Sequence, residues 1–343
     1  MTQPDHRGSR EGRRRGNRGA AVLVPLVLGL AVFGLAACTT ETVTPAVAAA
    51  AYVALGSGVA NPGSTVDIVD TATGNLGRPI TVGTLPSAVA LLPGAKDLLV
   101  TVKAQDQLVE VSTSSGKVVK RIGVGLEPDA VAVTPDGALA FVADFGDNTV
   151  TSVHLGPFTV GATVTVGRQP VAIAVTPDGT RALVANYEDG TVTPISLPGL
   201  TAGAPIPVGP EPSAVFIASD GTTALVAGFE TSSVIAIALP SLAAGRTVPV
   251  GANPTGIAAA AGSPVAWVSA GDGITPVAIA TLQVGNPISI GTPSECLAIA
   301  PGGDPWVCNG DGALVEVNPA TATPVRTVNL HGLPAAVAIS GAA

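Results

Sequence analysis

From about residue 50 onward, apolar residues arrive in short runs separated by turns rich in Gly, Pro, Asp and Asn. The stretch from Gly125 to Gly167 shows the unit. Ala130-Val131-Ala132-Val133 reads as a short buried strand, and Pro135-Asp136-Gly137 as a hairpin turn whose glycine supplies positive φ. Ala140-Phe141-Val142-Ala143 returns as a second strand, and Asp144 to Asn148 forms a polar loop. Thr149 to Val153 and Thr163 to Val166 supply a third and a fourth strand. Strand-length runs with turn residues between them predict one four-stranded antiparallel sheet.

That unit recurs. Pro86, Pro128, Pro170, Pro212, Pro254, Pro293 and Pro334 are spaced by 42, 42, 42, 42, 39 and 41 residues. Val-Gly pairs precede them at Val82-Gly83, Val124-Gly125, Val166-Gly167, Val208-Gly209 and Val250-Gly251, with Ile290-Gly291 as a variant. A period of about 40 to 45 residues in a strand-rich chain predicts a β-propeller with one blade per repeat. Six repeats begin at the first six prolines. Ahead of them, Ala51-Tyr52-Val53-Ala54, Thr65 to Val69 and Ile80-Thr81-Val82 supply three strands without an innermost one. Behind them, Ala335 to Ile339 is an innermost strand without followers. The fragments complete each other, so the expected fold is all-β: a seven-bladed propeller over residues 50–343, its ring closed by N-terminal strands plus one C-terminal strand. Closure of this kind removes exposed sheet edges.

The next repeat copies the first almost residue for residue, with Ala172-Ile173-Ala174-Val175, Thr176-Pro177-Asp178-Gly179, Ala182-Leu183-Val184-Ala185-Asn186 and Gly190-Thr191-Val192. This pattern resembles the YVTN-type propeller repeats of microbial surface and secreted proteins, from about residue 50 to the end. The resemblance implies the propeller fold and a scaffolding role more than any particular activity.

Ahead of the repeats lies a leader. Arg7, Arg10, Arg13, Arg14, Arg15 and Arg18 precede an apolar run from Ala20 to Ala37, which ends in Leu35-Ala36-Ala37-Cys38. A basic region, an apolar region and small residues before a cut describe an export signal over 1–37. The ending resembles the lipobox of bacterial lipoproteins, which implies a diacylglycerol (palmitate-type) anchor on Cys38, and 38–49 as a tether. An uncleaved membrane anchor is the alternative. Either way the body faces outside the cytoplasm, and the export route, Sec or twin-arginine, stays open.

Without the leader's six arginines and two carboxylates, 22 acidic and 10 basic residues remain, a net charge of −12 against −8 for the whole chain. Such a body disfavours nucleic acid and anionic lipid as partners, and aromatic residues at 3% leave few stacking platforms for single strands. Membrane attachment then comes from lipid on Cys38, and the expected partner is an envelope protein or glycan bound by a monomer.

In a propeller, the loops entering the innermost strands share one face with those joining second to third strands. The entering loops carry Glu127, Asp129, Arg168, Gln169, Glu211, Asn253, Glu295 and His331. The second-to-third loops add Tyr187 and Phe229 as candidate anchors in a polar rim. The bland alternative is a set of solvated turn residues. Glu127, Asp129, Glu211 and Glu295 offer oxygen ligands to a divalent cation, although no calcium-loop motif is present and no other cofactor is implied. An enzyme would draw on His331 with Glu295 as an acid–base pair; His154, at the end of a third strand, reads as a surface residue. No nucleophile elbow or phosphate loop appears. The sequence thus favours a non-catalytic binding or scaffolding propeller, with a lactonase-like hydrolase or lyase using the acidic face and a divalent cation as runner-up.

Cys296 and Cys308 lie on either side of Pro301-Gly302-Gly303. If Ala300 faces Asp304 across that turn, the two cysteines become direct cross-strand neighbours, and an oxidising compartment favours a disulfide; two free buried thiols, or a register off by one that separates them, are the alternatives. Trp306 is expected to fill core space nearby.

Overall fold

The computed structural model describes residues 49–56 and 63–341. The export segment 1–37, Cys38 and the tether up to residue 48 lie outside the described residues. Those described form a seven-bladed β-propeller of antiparallel sheets, numbered here from the blade that holds both chain ends.

Blade 1 joins Pro334–Ile339 to Ala50–Leu55, Thr65–Asp70 and Ile80–Thr81. Blade 2 runs from Pro86–Leu91 through Asp97–Val102 and Gln107–Ser112 to Lys117–Gly123. Blade 3 comprises Pro128–Val133, Leu139–Asp144, Thr149–His154 and Thr159–Thr165. In blade 4, Pro170–Val175, Arg181–Asn186 and Thr191–Ser196 are followed by an outer strand split into Thr201–Ala202 and Ile206–Pro207. Pro205 and Pro207 bring no N–H to that edge, which is why it breaks. Blade 5 holds Pro212–Ile217, Thr223–Gly228, Ser233–Ala238 and Ala243–Pro249. Blade 6 holds Gly256–Ala258, Val265–Ala270, Gly273–Ala278 and Ile288–Ser289. Blade 7 holds Ser294–Ile299, Pro305–Asn309, Ala313–Asn318 and Thr323–Asn329.

The innermost strands neighbour one another all the way round, with Pro334–Ile339 between those of blades 7 and 2. The seam is a strand pairing in register, Val53 opposite Val337 and Ala51 opposite Ile339. Ser340 ties it off, its hydroxyl oxygen accepting the Ala50 N–H at 2.9 Å.

There is no single centre to the core. Seven apolar clusters each span two consecutive blades: Leu108 of blade 2 packs with Val142 of blade 3, and Phe141 of blade 3 with Val184 of blade 4. Small β-branched residues suffice because each interface is thin and repeated. The cluster across the seam is different. There Trp306, 1% exposed, and the Cys296–Cys308 disulfide pack on Ala51 and Val53. The two cysteines are opposite each other in the register, as the turn geometry requires.

The recurring Thr-Pro-Asp-Gly turn has a local cause. Asp136 accepts hydrogen bonds from the Thr134 hydroxyl at 2.6 Å and the Ala138 N–H at 3.0 Å, while Gly137 turns at φ 70°. The Val-Gly pairs have two causes. At Gly125 and Gly167 a Cβ would fall within 2.6 Å of the Asp144 and Asn186 side chains. At Gly83, Gly209, Gly251 and Gly291 the chain takes positive φ instead.

One repeat boundary differs from the proline spacing. In blade 7 the buried slot at the start of the innermost strand is held by Ser294, paired with Asn309 as Pro128 is with Asp144, and Pro293 is exposed before it. Glu295 is therefore the counterpart of Asp129, where the proline spacing would set it at the place of Ala130.

Candidate functional site

Each second-to-third loop opens with a residue whose N–H reaches across to the entering loop of its own blade. Lys103 donates to the Leu85 carbonyl at 2.9 Å, Phe145 to Glu127 at 3.1 Å, Tyr187 to Gln169 at 2.9 Å and Phe229 to Glu211 at 2.8 Å. Gly271, Gly310 and Gly56 hold the same place in blades 6, 7 and 1, donating to Ala252, Pro293 and Leu333. This position is thus sampled seven times on one face. Four consecutive blades carry Lys103, Phe145, Tyr187 and Phe229, all half-buried, and the other three carry glycine.

In blades 2 to 5 the accepting carbonyls belong to strained residues, and Asn253, at the matching place before Pro254 in blade 6, is strained too. Leu85, Glu127, Gln169, Glu211 and Asn253 have φ between 48° and 58°, each directly before a proline. A left-handed non-glycine residue costs about 1–2 kcal/mol, and each is held by its neighbours. Glu127 also donates its N–H to Asp106 Oδ1 of the preceding blade, and Gln169 to Asn148 Oδ1, both at 2.8 Å. These bonds stitch blade to blade and fix the rim of the face.

The structure places the sequence-predicted residues as follows. Asp129 is half-buried and bonded to Lys103 Nζ at 2.9 Å. Burial pushes its carboxyl up, and Lys103 opposes that. The same ammonium lies 4.2 Å from the centre of the Phe145 ring. Arg168 is exposed and spans Glu188 at 2.7 Å and Asp189 at 2.6 Å. Burial raises the Tyr187 phenol above its ordinary range, and the Glu211 and Glu230 carboxylates beside it add to the effect. Glu127 and Asn253 are exposed, while Gln169, Glu211 and Phe229 are half-buried. Glu295 is exposed, its Oε1 against Gly310.

Two expected groupings are not formed. His331 does not meet Glu295; its Nδ1 lies 3.0 Å from Oδ2 of buried Asp67, which also accepts the His331 N–H at 2.9 Å. Asp67 stands on the third strand of blade 1, where blade 3 has Thr151, a substitution that spacing alone did not flag. Nor do Glu127, Asp129, Glu211 and Glu295, on blades 3, 5 and 7, form a group placed to hold a metal ion. Among the described residues no group of three or more His, Cys, Asp or Glu side chains is placed to hold a metal ion.

Lys103 lies on a second-to-third loop as read by residue type, and Phe145 is the residue of this arc that the reading missed. The signal was present: 103, 145, 187 and 229 are separated by 42.

A buried carboxyl lies beside this face. Asp144 Oδ2 accepts the Thr151 and Thr149 hydroxyls at 2.7 and 3.1 Å, and Oδ1 accepts the Gly125 N–H at 3.1 Å. Burial outweighs these bonds and lifts its pKa to about 6. Thr149 and Thr151 also line a cavity of about 350 Å³ between blades 2 and 3, with Gly123 to Gly125, Asp147, Val160 and Thr163.

No family model matches the chain, and no curated protein does. Solved structures do. A protein of unknown function from Desulfotomaculum acetoxidans superposes with a TM-score of 0.76 at 16% identity, over 86% of this chain and 99% of its own. A candidate 6-phosphogluconolactonase from Bacteroides uniformis gives 0.71 at 14% identity, over 85% and 99%. Hydrazine synthase of Kuenenia stuttgartiensis gives 0.67 at 17% identity, over 73% and 88%. At such identities the likeness shows the propeller fold alone.

Proposed function

We propose that the chain is an exported, lipid-anchored propeller of the YVTN type that binds a protein or glycan of the cell envelope through the face of the second-to-third loops. One observation carries this reading: the half-buried arc of Lys103, Phe145, Tyr187 and Phe229 on four consecutive blades, ringed by carboxylates. Aromatic anchors inside a polar rim are what binding surfaces concentrate. The leader supports the anchor, through the small residues directly before Cys38.

The test of the face is a photo-crosslinking amino acid placed at Tyr187 or, as control, at Asp178 in the turn at the other end of the innermost strand. A specific adduct in cells from position 187 and none from 178 is expected; equal labelling from both would sink the reading. For the anchor, palmitate labelling should be present in the native chain and lost in Cys38→Ser.

The runner-up, a lactonase-like hydrolase or lyase, gains one observation: a buried carboxylate that orients a half-exposed imidazole, Asp67 and His331, the arrangement a general base uses. Lactone hydrolysis lost in His331→Ala, with unchanged melting, would promote it.

A further inference from the structure

Lys103 shows what this face does with an ammonium group. Its Nζ sits over the Phe145 ring at 4.2 Å with the Asp129 carboxylate at 2.9 Å, an aromatic and a counter-ion from the next blade closing on one cation. One blade further on the same ring position carries Tyr187, and after it Phe229, and among the described residues no lysine or arginine lies over either ring. The carboxylates are present. Glu211 enters blade 5, its carbonyl accepting the Phe229 N–H at 2.8 Å, and Glu230 follows Phe229 in the chain; both carboxylates lie near Tyr187, whose hydroxyl bonds Glu211, and among the described residues neither forms an ion pair. The other carboxylates of this sector, Glu188 and Asp189, are already answered by Arg168.

We infer that the Tyr187–Phe229 sector receives lysine or arginine side chains from a basic segment of a partner protein, with Glu211 and Glu230 as counter-ions, as Lys103 is received by Phe145 and Asp129. The inference rests on the reading of this face as the binding face and narrows its ligand from protein or glycan to a cationic protein segment. A cation over an aromatic ring is worth about 0.5–2 kcal/mol, more as water is excluded. The body's net charge of −12, from 22 acidic and 10 basic residues after the leader, draws such a segment in at long range. A neutral sugar could stack on the rings and donate hydroxyls to the carboxylates, but it would bring them no counter-charge.

Titration calorimetry of the full chain in detergent tests this with three probes: a Gly-Lys repeat octapeptide, the same peptide with Gln for Lys, and a panel of neutral oligosaccharides. The Lys peptide is expected to bind and the Gln peptide not. Tyr187→Ala and Glu211→Gln should each weaken the Lys peptide at least tenfold. Tyr187→Phe, which keeps the ring, should stay within threefold, and Asp178→Asn within twofold. Melting curves of each variant confirm that the fold is kept. Equal weakening by Glu211→Gln and Asp178→Asn would reduce the effect to general charge attraction and overturn the inference. Oligosaccharide binding that Tyr187→Ala abolishes, without Lys-peptide binding, would overturn the cation but keep the face. Binding of neither probe, together with no adduct at position 187, would overturn both.

Discussion

The two arcs of the ring face solvent with the same backbone and opposite side chains. Across blades 2 to 5 the opening residue of each second-to-third loop is Lys103, Phe145, Tyr187 or Phe229; across blades 6, 7 and 1 it is Gly271, Gly310 or Gly56. The loops of blades 6 and 7 also shorten, whereas nine residues separate Leu55 from Thr65 in blade 1. Four residues separate the second and third strands in blades 2 to 5, but two in blade 6 and three in blade 7. The three glycines are there for different reasons. At Gly56 a Cβ would meet the Ala335 Cβ and the Pro86 carbonyl oxygen, both at 2.5 Å, because the seam strand packs against it. Gly271 sits at φ 57°, a conformation that side chains disfavour. Gly310 has neither constraint; the nearest atom to its missing Cβ is Glu295 Oε1 at 3.4 Å. One glycine is compelled by packing, one by backbone conformation, and one by nothing in the fold. The asymmetry of the face is therefore in part a consequence of closing the ring and in part free for a ligand to exploit.

The largest effect should come from the seam itself. Deleting Leu333 to Ser340 strips blade 1 of its innermost strand and opens two sheet edges, so cooperative melting should vanish and aggregation appear. A soluble truncation with a sharp melting transition would refute the closure.

Next comes Gly56→Ala, which drives a methyl group into a backbone carbonyl. Chemical denaturation should show a loss of about 3 kcal/mol, an overpacking cost that no side-chain rotation relieves.

Asp144→Asn should act in the other direction. With a folded pKa of about 6 against an ordinary value of 3.8, the carboxyl binds its proton more tightly in the folded chain. Its contribution is complete below about pH 4 and is lost as pH rises through about 6, the loss reaching about 3 kcal/mol at pH 7.5. Asparagine at the matching place in blade 4, Asn186, donates to the Thr191 and Thr193 hydroxyls at 3.0 and 2.8 Å without carrying a charge. The variant should therefore be more stable than the native chain at pH 7.5, with the gap closing by pH 4. A constant difference across that range would contradict the burial argument.

The smallest effect is expected at Gly310→Phe, which extends the aromatic arc to blade 7. Stability should change by no more than about 1 kcal/mol, the helix- or strand-glycine scale, since the site has room and an ordinary backbone. If the cation-binding inference holds, affinity for the Lys peptide should rise, because Glu295 then has a ring beside it.

Much of this was legible in residue order. The 42-residue spacing announced the blades, the orphan strands at both ends announced the closure, and the turn at Pro301-Gly302-Gly303 placed Cys296 opposite Cys308. The site was legible only in part. Glu127, Gln169, Glu211 and Asn253 were found on the right loops, but searching by residue type passed over Phe145, and the proline spacing set Glu295 in the wrong register because Ser294 fills the proline slot of blade 7. His331 could not be matched to Asp67 from sequence, since 264 residues separate them and they meet only when the ring closes.

The sequence by itself determined the number of blades, the place of most strands and turns, and the facing of Cys296 and Cys308, because periodicity, turn chemistry and hairpin register are local properties that a repeat writes out many times. Only the tertiary structure decided which side chains share a site. Lys103 reaches Asp129 and Phe145, His331 reaches Asp67, and Gly56 yields to Ala335 because bending the sheet into a closed ring sets residues of neighbouring blades, and of the two chain ends, within a few ångströms of each other.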